Sequence, residues 1–183
     1  MRVLVMGSTG SGKSTFARRL AQRIGASHIE QDALNWDPNW TNLSQTDPEK
    51  LAARVRKAIA AEAWTACGNY SVVRDLFLAR ATHLIWLDYE RPIIMTRVIR
   101  RSAARAIAGD ELWEGTGNRE DVRNWLDKEH PIRWAWDTFH YRRTSYERIF
   151  ADPALAHIQK HRLRRPREAD ALIDRLVAEA LPI

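Results

Sequence analysis

Cysteine is almost absent from the chain, which limits both its chemistry and its compartment. Cys67 is the single cysteine among 183 residues, so no disulfide can form within one chain. Structural disulfides belong to oxidising compartments, and a lone thiol suits a reducing interior. We therefore expect a cytoplasmic protein.

Long apolar runs are also missing near the start of the chain. The run at residues 2–6 is followed directly by Gly7. A membrane-spanning helix needs about 20 apolar residues, and the apolar part of a signal peptide needs about 7. We therefore expect neither export nor a membrane partner.

Two signatures of nucleotide hydrolases are lacking as well. No N-K-x-D segment, which would bind guanine, occurs in the chain, so the sequence argues against a GTP switch. Motor and AAA-type ATPases usually carry an apolar strand ending in Asp-Glu, and neither "TACGN" nor "IWLDYE" provides one. The sequence therefore argues against efficient ATP hydrolysis.

Positive charge is in excess. Lysine and arginine number 29 against 23 acidic residues, a difference of 6. Arginine side chains bind phosphate oxygens well, although solvated helix faces and nucleic acid are alternative explanations. The excess is concentrated in two arginine clusters, Arg97, Arg100, Arg101 and Arg105 in one and Arg142 and Arg143 in the other.

Buried strands alternate with amphipathic helices along the chain. This pattern predicts one α/β domain over residues 1–183, a three-layer P-loop NTPase fold with helices on both sides of a parallel sheet. Ligands of such sheets bind at the carboxyl ends of strands, which we place at Gly7, Asp32, Gly68 and Asp88. Residues 105–140 lack a clean period and predict an inserted lid-like flap, followed by a helix from about Tyr141.

The segment "GSTGSGKST" fits the phosphate-loop pattern G-x-x-x-x-G-K-[ST]. Glycines let backbone N–H groups surround phosphates at a helix N-terminus, Lys13 reaches the outer phosphates, and the Ser14 hydroxyl is a Mg²⁺ ligand. ATP and Mg²⁺ are therefore the expected cofactors. The predicted phosphate-binding residues are Gly7, Ser8, Thr9, Gly10, Ser11, Gly12, Lys13, Ser14 and Thr15.

The segment "LDYERPIIMTRVIRR" resembles the adenylate-kinase-like small kinases. The resemblance implies that Arg97 lies against adenine, that Arg101 contacts phosphates, and that arginines of a flap close over the transferring group. Arg142 and Arg143 are the candidates for this last role. It also implies that the turn containing Arg164 and Pro166 passes along the nucleotide, unless it is a solvated basic turn.

"QDALNWDPNW", "WTACGNYS" and "LRRPREADALI" are similar to bacterial adenylate-kinase-related proteins labelled DNA topology modulation proteins. That group usually carries Asp where this chain has Cys67, and a neutral thiol is a poor Mg²⁺ ligand. Either Asp32 or Asp88 then supplies the carboxylate, or catalysis is weak. Cys67 itself is expected to be a small buried residue of a strand.

An acceptor site is predicted beside the phosphate loop. Asp32 is placed where shikimate-kinase-like enzymes present an acid to the acceptor hydroxyl or to Mg²⁺, although it also fits a turn or helix cap. Trp36 either stacks on a ligand or anchors its loop, whereas Trp134 and Trp136 are expected in the core of the flap. The remaining predicted acceptor residues are Gly68, Asn69, Tyr70 and Arg74.

Three functions are compatible with these features. The favoured one is a kinase that moves the γ-phosphate of ATP to a nucleotide or other small acceptor, with Lys13, Asp32, Arg101, Arg142 and Arg143 as catalytic residues. The first alternative is a regulatory protein that contacts nucleic acid and hydrolyses ATP slowly. The second is a fold that binds ATP without turnover because of Cys67. The sequence carries no signal for the oligomeric state.

Overall fold

A parallel sheet of five strands forms the centre of the computed structural model, which describes residues 1–128 and 130–181. The strands of this sheet lie in the order β2-β5-β1-β6-β7, and every neighbouring pair is parallel. Two further short strands, β3 and β4, pair antiparallel outside it. The strands are β1 (Arg2–Gly7), β2 (Ser27–Glu30), β3 (Trp36–Asp37), β4 (Thr41–Asn42), β5 (Trp64–Cys67), β6 (His83–Leu87) and β7 (Gln159–Leu163).

The helices begin where the sequence offers a suitable first turn. Pro48 opens one helix behind the Asp47 side chain, which accepts a hydrogen bond from the Lys50 amide, and two others also carry proline in their first turn. The helices are α1 (Lys13–Ile24), α2 (Gln31–Asn35), α3 (Leu43–Thr46), α4 (Pro48–Ala58), α5 (Arg74–Leu78), α6 (Arg91–Ala108), α7 (Pro131–Ala151) and α8 (Glu168–Ala180).

Helices cover both faces of the sheet. Val3 and Val5 of β1 pack with residues of α1, α6 and α8 on one face, while Leu4 and Met6 pack with α4 and α5 on the other. Successive side chains of a strand point to opposite faces, and an unbroken apolar run is what a strand covered on both sides requires. The predicted three-layer α/β fold with a parallel sheet is confirmed.

The helix expected from about Tyr141 begins at Pro131 instead. The His130 side chain accepts a hydrogen bond from the Ile132 amide and so caps it, and Ala135 and Phe139 continue its buried stripe. Several tryptophans in this stretch obscure the helical period in the sequence. Residues 131–140 of the predicted insertion are thus helical, and residues 105–108 complete α6. Within the described residues, the irregular part is confined to 109–128 and 130, apart from a short 3₁₀ turn at Val122–Asn124.

The segment after β2 is more ordered than the expected loop. β2 ends at Glu30, and Asp32 lies in the first turn of α2 rather than at the end of the strand. The Asn35 amide nitrogen donates to Asn42 Oδ1 at 2.9 Å, and its oxygen accepts from the Ser44 amide at 2.8 Å. This buried asparagine links α2 to α3 across the β3–β4 pair.

None of the helices in the described part of the chain is long and apolar enough to cross a membrane.

Asp88, which the sequence suggested as a carboxylate for Mg²⁺, instead holds three elements together. Its buried carboxylate accepts from Arg143 Nε of α7 at 3.0 Å and from Arg162 Nη2 of β7 at 2.6 Å. The Arg162 guanidinium also lies over the Trp86 ring, 4.1 Å from its centroid. These contacts fix α7 against the end of β6.

Substituting Asp88→Asn should lower the free energy of unfolding by about 2 kcal/mol, because two arginines lose their countercharge; both are partly exposed, which weakens the loss. Urea unfolding followed by circular dichroism measures it, with the exposed Asp110→Asn as a control expected within about 0.5 kcal/mol of wild type. Equal stability of both variants would show that the ion pairs do not hold α7.

Candidate nucleotide and acceptor site

The phosphate loop joins β1 to α1 and lies close against α6. Gly10 and Gly12 have φ values of 88° and 95°, which side-chain-bearing residues rarely adopt. A Cβ at Gly10 would also come within 2.8 Å of the Ile94 carbonyl oxygen of α6. Glycine is therefore needed both for the turn and for the close approach of the loop to the helix.

The Lys13 ammonium is buried at the base of this loop. Its Nζ donates to the Ser8 carbonyl oxygen at 3.1 Å, and desolvation by burial lowers its pKa below the ordinary lysine value. The Tyr146 hydroxyl of α7 donates to the Gly7 carbonyl oxygen at 3.2 Å, directly behind the loop. A buried cation with one carbonyl partner is stabilised by an anion, which fits a phosphate group.

Ser14, the expected Mg²⁺ ligand, contacts a carboxylate that the sequence analysis missed. Its Oγ donates to Glu30 Oε1 at 3.2 Å, and the Cys67 thiol lies 3.4 Å from the same hydroxyl. Hydroxyl and carboxylate oxygens are the donors that Mg²⁺ prefers, so this pair fits the ion. Glu30 is the last residue of β2, so the available signal was an acid at the carboxyl end of a predicted strand, where ligands of parallel sheets bind.

Asp32, the other candidate carboxylate, is held by the end of the neighbouring strand. The Tyr70 hydroxyl donates to Asp32 Oδ1 at 2.7 Å, and burial together with this acid raises the tyrosine pKa. Gly68 makes the approach feasible, because a Cβ there would lie 2.5 Å from Gln31 Cβ. The structure thus brings Asp32, Gly68 and Tyr70 together, as expected.

The other predicted acceptor residues border the same group. Arg74 Nε donates to Asn69 Oδ1 at 2.7 Å, which holds the arginine at the start of α5. Trp36 lies near the Tyr70 hydroxyl. The Trp36 ring contacts the rings of Trp40 and Trp113, with centroids 5.6 and 6.1 Å away. It therefore joins the β3–β4 pair to the irregular residues after α6.

Two arginines of α6 approach the loop from the opposite side. Arg97 Nη1 donates to the Ser11 carbonyl oxygen at 3.0 Å. Arg101 lies deeper: its Nε is buried and, within the described residues, meets no hydrogen-bond acceptor. Burial lowers its pKa, and the nearest stabilising charges include Asp32, Glu120 and Glu30. An arginine nitrogen left without an acceptor is a further point at which a phosphate oxygen fits.

The adjacent arginines of α7 differ in their surroundings. Arg142 Nη1 donates to the Tyr146 hydroxyl at 3.2 Å, and its charge acts on Lys13 and Tyr70. Arg143, expected beside it as a catalytic residue, instead forms ion pairs with Asp88 and, at 3.7 Å, with Glu90. Neighbouring residues of a helix point about 100° apart, so only one of the two faces the site.

The proposed adenine-side turn lies between β7 and α8. The backbone amides of Arg164 and Arg165 donate to Glu168 Oε2 at 2.8 and 3.2 Å, and the Arg164 side chain is exposed. Pro166 follows in the same turn and accepts from the Ala169 amide. Glu168, the first residue of α8, thus holds this turn, and the contact of Arg164 and Pro166 with a nucleotide stays a prediction.

A parallel sheet with this loop, its buried lysine and converging arginines defines a P-loop nucleotide-binding protein. A family model described as an AAA domain matches residues 3–114, and the chain belongs to that family. This membership differs from the expectation above, which argued against an AAA-type ATPase because no predicted strand ends in Asp-Glu. In the structure, β5 ends at Cys67 and β6 is followed by the ion-paired Asp88, so neither strand ends in that acid pair.

Solved structures of small-molecule kinases share the fold. Shikimate kinase from Acinetobacter baumannii in complex with shikimate is 15% identical with a TM-score of 0.61, covering 97% of this chain and 91% of that one. A gluconokinase from Sinorhizobium meliloti 1021 is 18% identical with a TM-score of 0.52, covering 97% and 94%. A sugar kinase from Janibacter sp. HTCC2649 is 17% identical with a TM-score of 0.52, covering 97% and 92%. No curated protein sequence matches the chain.

The thiol of Cys67 should be unreactive in the folded protein. It is 2% exposed, and burial raises its pKa to about 11, so the thiolate that attacks alkylating agents is scarce at pH 8. We expect iodoacetamide to label the native protein at less than about a hundredth of the rate in urea, where the thiol pKa returns to about 8.5. Mass spectrometry of the labelled chain measures both rates, and comparable rates would contradict this environment for Cys67.

Proposed function

We propose that the protein is an ATP-dependent kinase of adenylate-kinase-like type that transfers the γ-phosphate to a hydroxyl group of a small acceptor. One observation carries the proposal: the Asp32 carboxylate is held by the Tyr70 hydroxyl at 2.7 Å, and its charge acts favourably on both Lys13 and Arg101. A carboxylate facing the lysine of a phosphate loop is placed to accept a proton from an acceptor rather than to bind phosphate itself.

Tyr70 makes Asp32 suitable for this role. Its hydroxyl occupies Oδ1 and fixes the orientation of the carboxyl group, which leaves the second oxygen for the acceptor hydroxyl. As the acceptor oxygen forms its bond to the γ-phosphorus, its proton passes to Asp32 and the bond to the bridging oxygen of ATP breaks, releasing ADP. Lys13, Arg101 and Arg142 stabilise the charge on the transferring phosphoryl group.

Magnesium belongs to the same proposal. Bound there, the ion neutralises phosphate charge and orients the phosphates. Ser14 would hold it directly, and Glu30 would support it through the hydrogen bond that it already accepts from Ser14. Glu30 would thereby supply the carboxylate for Mg²⁺ that Cys67 cannot provide.

Transfer to an acceptor is favoured over hydrolysis by the position of Asp88. Asp88, which follows the strand beside β1, is engaged by Arg143 and Arg162 on both of its oxygens, so its carboxylate is not available to orient a water molecule. The kinases with a similar fold support the same choice, because shikimate and gluconate are small hydroxylated acids. We place the reaction in the cytoplasm, in keeping with the single cysteine.

Turnover in the presence of Mg²⁺ tests this function against a panel of acceptors that includes nucleoside monophosphates, shikimate and gluconate. One acceptor should stimulate ATP consumption. Asp32→Asn should then lower kcat about a hundredfold or more and leave the KM for ATP within about twofold, because a carboxamide cannot accept the proton.

Lys13→Ala serves as the inactive reference in this assay, and Asp110→Asn, on an exposed residue, as the matched control for loss of an acid. Slow ATP consumption that no acceptor stimulates would contradict the kinase assignment. Unchanged kcat in Asp32→Asn would remove Asp32 from the mechanism.

A further inference from the structure

Helix α7 carries two half-exposed tryptophans close to the site, both expected in the core of the flap. Trp134 is 40% exposed and Trp136 is 51% exposed. Residues two apart on a helix point about 200° away from each other, so the two indoles lie on opposite flanks of α7. Their surroundings identify what each flank faces.

The flank of Trp136 faces α6. The Arg91 guanidinium, at the start of α6, lies over the Trp136 ring, 4.0 Å from its centroid. Arg143 follows seven positions later, which is about two helical turns, and it pairs with Asp88 and Glu90. The Trp136 ring is therefore covered by Arg91, on the flank of α7 that carries Arg143.

The flank of Trp134 leads to the phosphate loop. The Arg142 guanidinium lies 5.5 Å from the Trp134 ring centroid and bonds the Tyr146 hydroxyl, which in turn bonds the Gly7 carbonyl oxygen. The charge of Arg142 also acts on Tyr70, the partner of Asp32. Trp134 thus extends the line that runs from the phosphate loop through Arg142.

We propose that Trp134 forms an aromatic wall of the acceptor site and selects an acceptor that contains a ring. This inference rests on the kinase function proposed above and narrows its substrate class. An exposed indole face gains most from contact with a flat or CH-rich ring surface, and base–aromatic stacking contributes about 1–3 kcal/mol. Together with the Asp32 carboxylate, which accepts the proton of a hydroxyl group, the exposed indole indicates a hydroxylated ring compound as the acceptor.

The variants Trp134→Ala, Trp134→Phe and Trp136→Ala test the assignment, with Trp136→Ala as the matched control of similar exposure on the same helix. Binding of shikimate, a nucleoside monophosphate and gluconate is measured by calorimetry with a non-hydrolysable ATP analogue present, and turnover of the same probes is measured separately. Thermal unfolding of each variant checks that the fold is retained.

Wild type should bind a ring probe more tightly than gluconate, which is an open chain. Trp134→Ala should raise both the Kd and the KM of that ring probe about tenfold and leave the KM for ATP unchanged. For Trp134→Phe and Trp136→Ala, the Kd and KM of the probe should stay within about threefold of wild type. Loss of kcat with unchanged Kd would overturn the inference, because Trp134 would then only orient Arg142.

The binding arm separates this inference from the proposed function. Ring binding that depends on Trp134 without any phosphorylated product would retain the aromatic wall and reject the kinase. Phosphorylation of a probe with unchanged binding in Trp134→Ala would retain the kinase and reject the wall. If wild type binds no ring probe, or binds gluconate best, the inference is wrong.

Discussion

Mutual repulsion among cationic side chains is the constraint on which the whole carboxyl edge of the sheet depends. Lys13, Arg97, Arg101 and Arg142 all approach the phosphate loop, and burial lowers the pKa values of Lys13 and Arg101. Glu30 and Asp32 offset part of this charge from the end of β2. The remainder is balanced only when an anion is present, and a ligand that binds the folded chain alone also stabilises it. Arg101 Nε meets no hydrogen-bond acceptor among the residues that the structure describes, so an anion at this position would give it one.

Helix α7 turns this charged edge into a site with two sides. Asp88 holds Arg143 on one flank, and this fixes the rotation of the helix so that Arg142 and Tyr146 face the phosphate loop. The two neighbouring arginines therefore have different tasks, one structural and one directed at the ligand. Before this helix, the irregular residues contact the turn between β3 and β4, where the Asn118 side chain accepts from the Trp40 amide at 3.0 Å and donates to the Asp37 carbonyl oxygen at 3.2 Å.

The sequence predicted the sheet, the phosphate loop and the cluster around Asp32, because each rests on local patterns: apolar runs, a glycine spacing, and polar residues at strand ends. It misplaced features that depend on contacts between distant residues. Asp88 was expected to act through its position after a strand, but its partners Arg143 and Arg162 lie far along the chain. Glu30 was hidden because β2 was extended to Asp32, and no sequence pattern indicates that Tyr146 reaches the Gly7 carbonyl. The start of α7 was missed because exposed tryptophans interrupt its apolar stripe.

The fate of the terminal phosphate tests the account most directly. Phosphorus NMR of the protein with ATP and Mg²⁺, in separate mixtures with shikimate, a nucleoside monophosphate and gluconate, distinguishes a phosphorylated acceptor from inorganic phosphate. We predict a new resonance of a phosphorylated acceptor that grows in step with ADP in at least one mixture and is absent with Lys13→Ala. ADP accompanied only by inorganic phosphate, at one rate in every mixture, would contradict the conclusion that this edge of the sheet transfers phosphate to an acceptor.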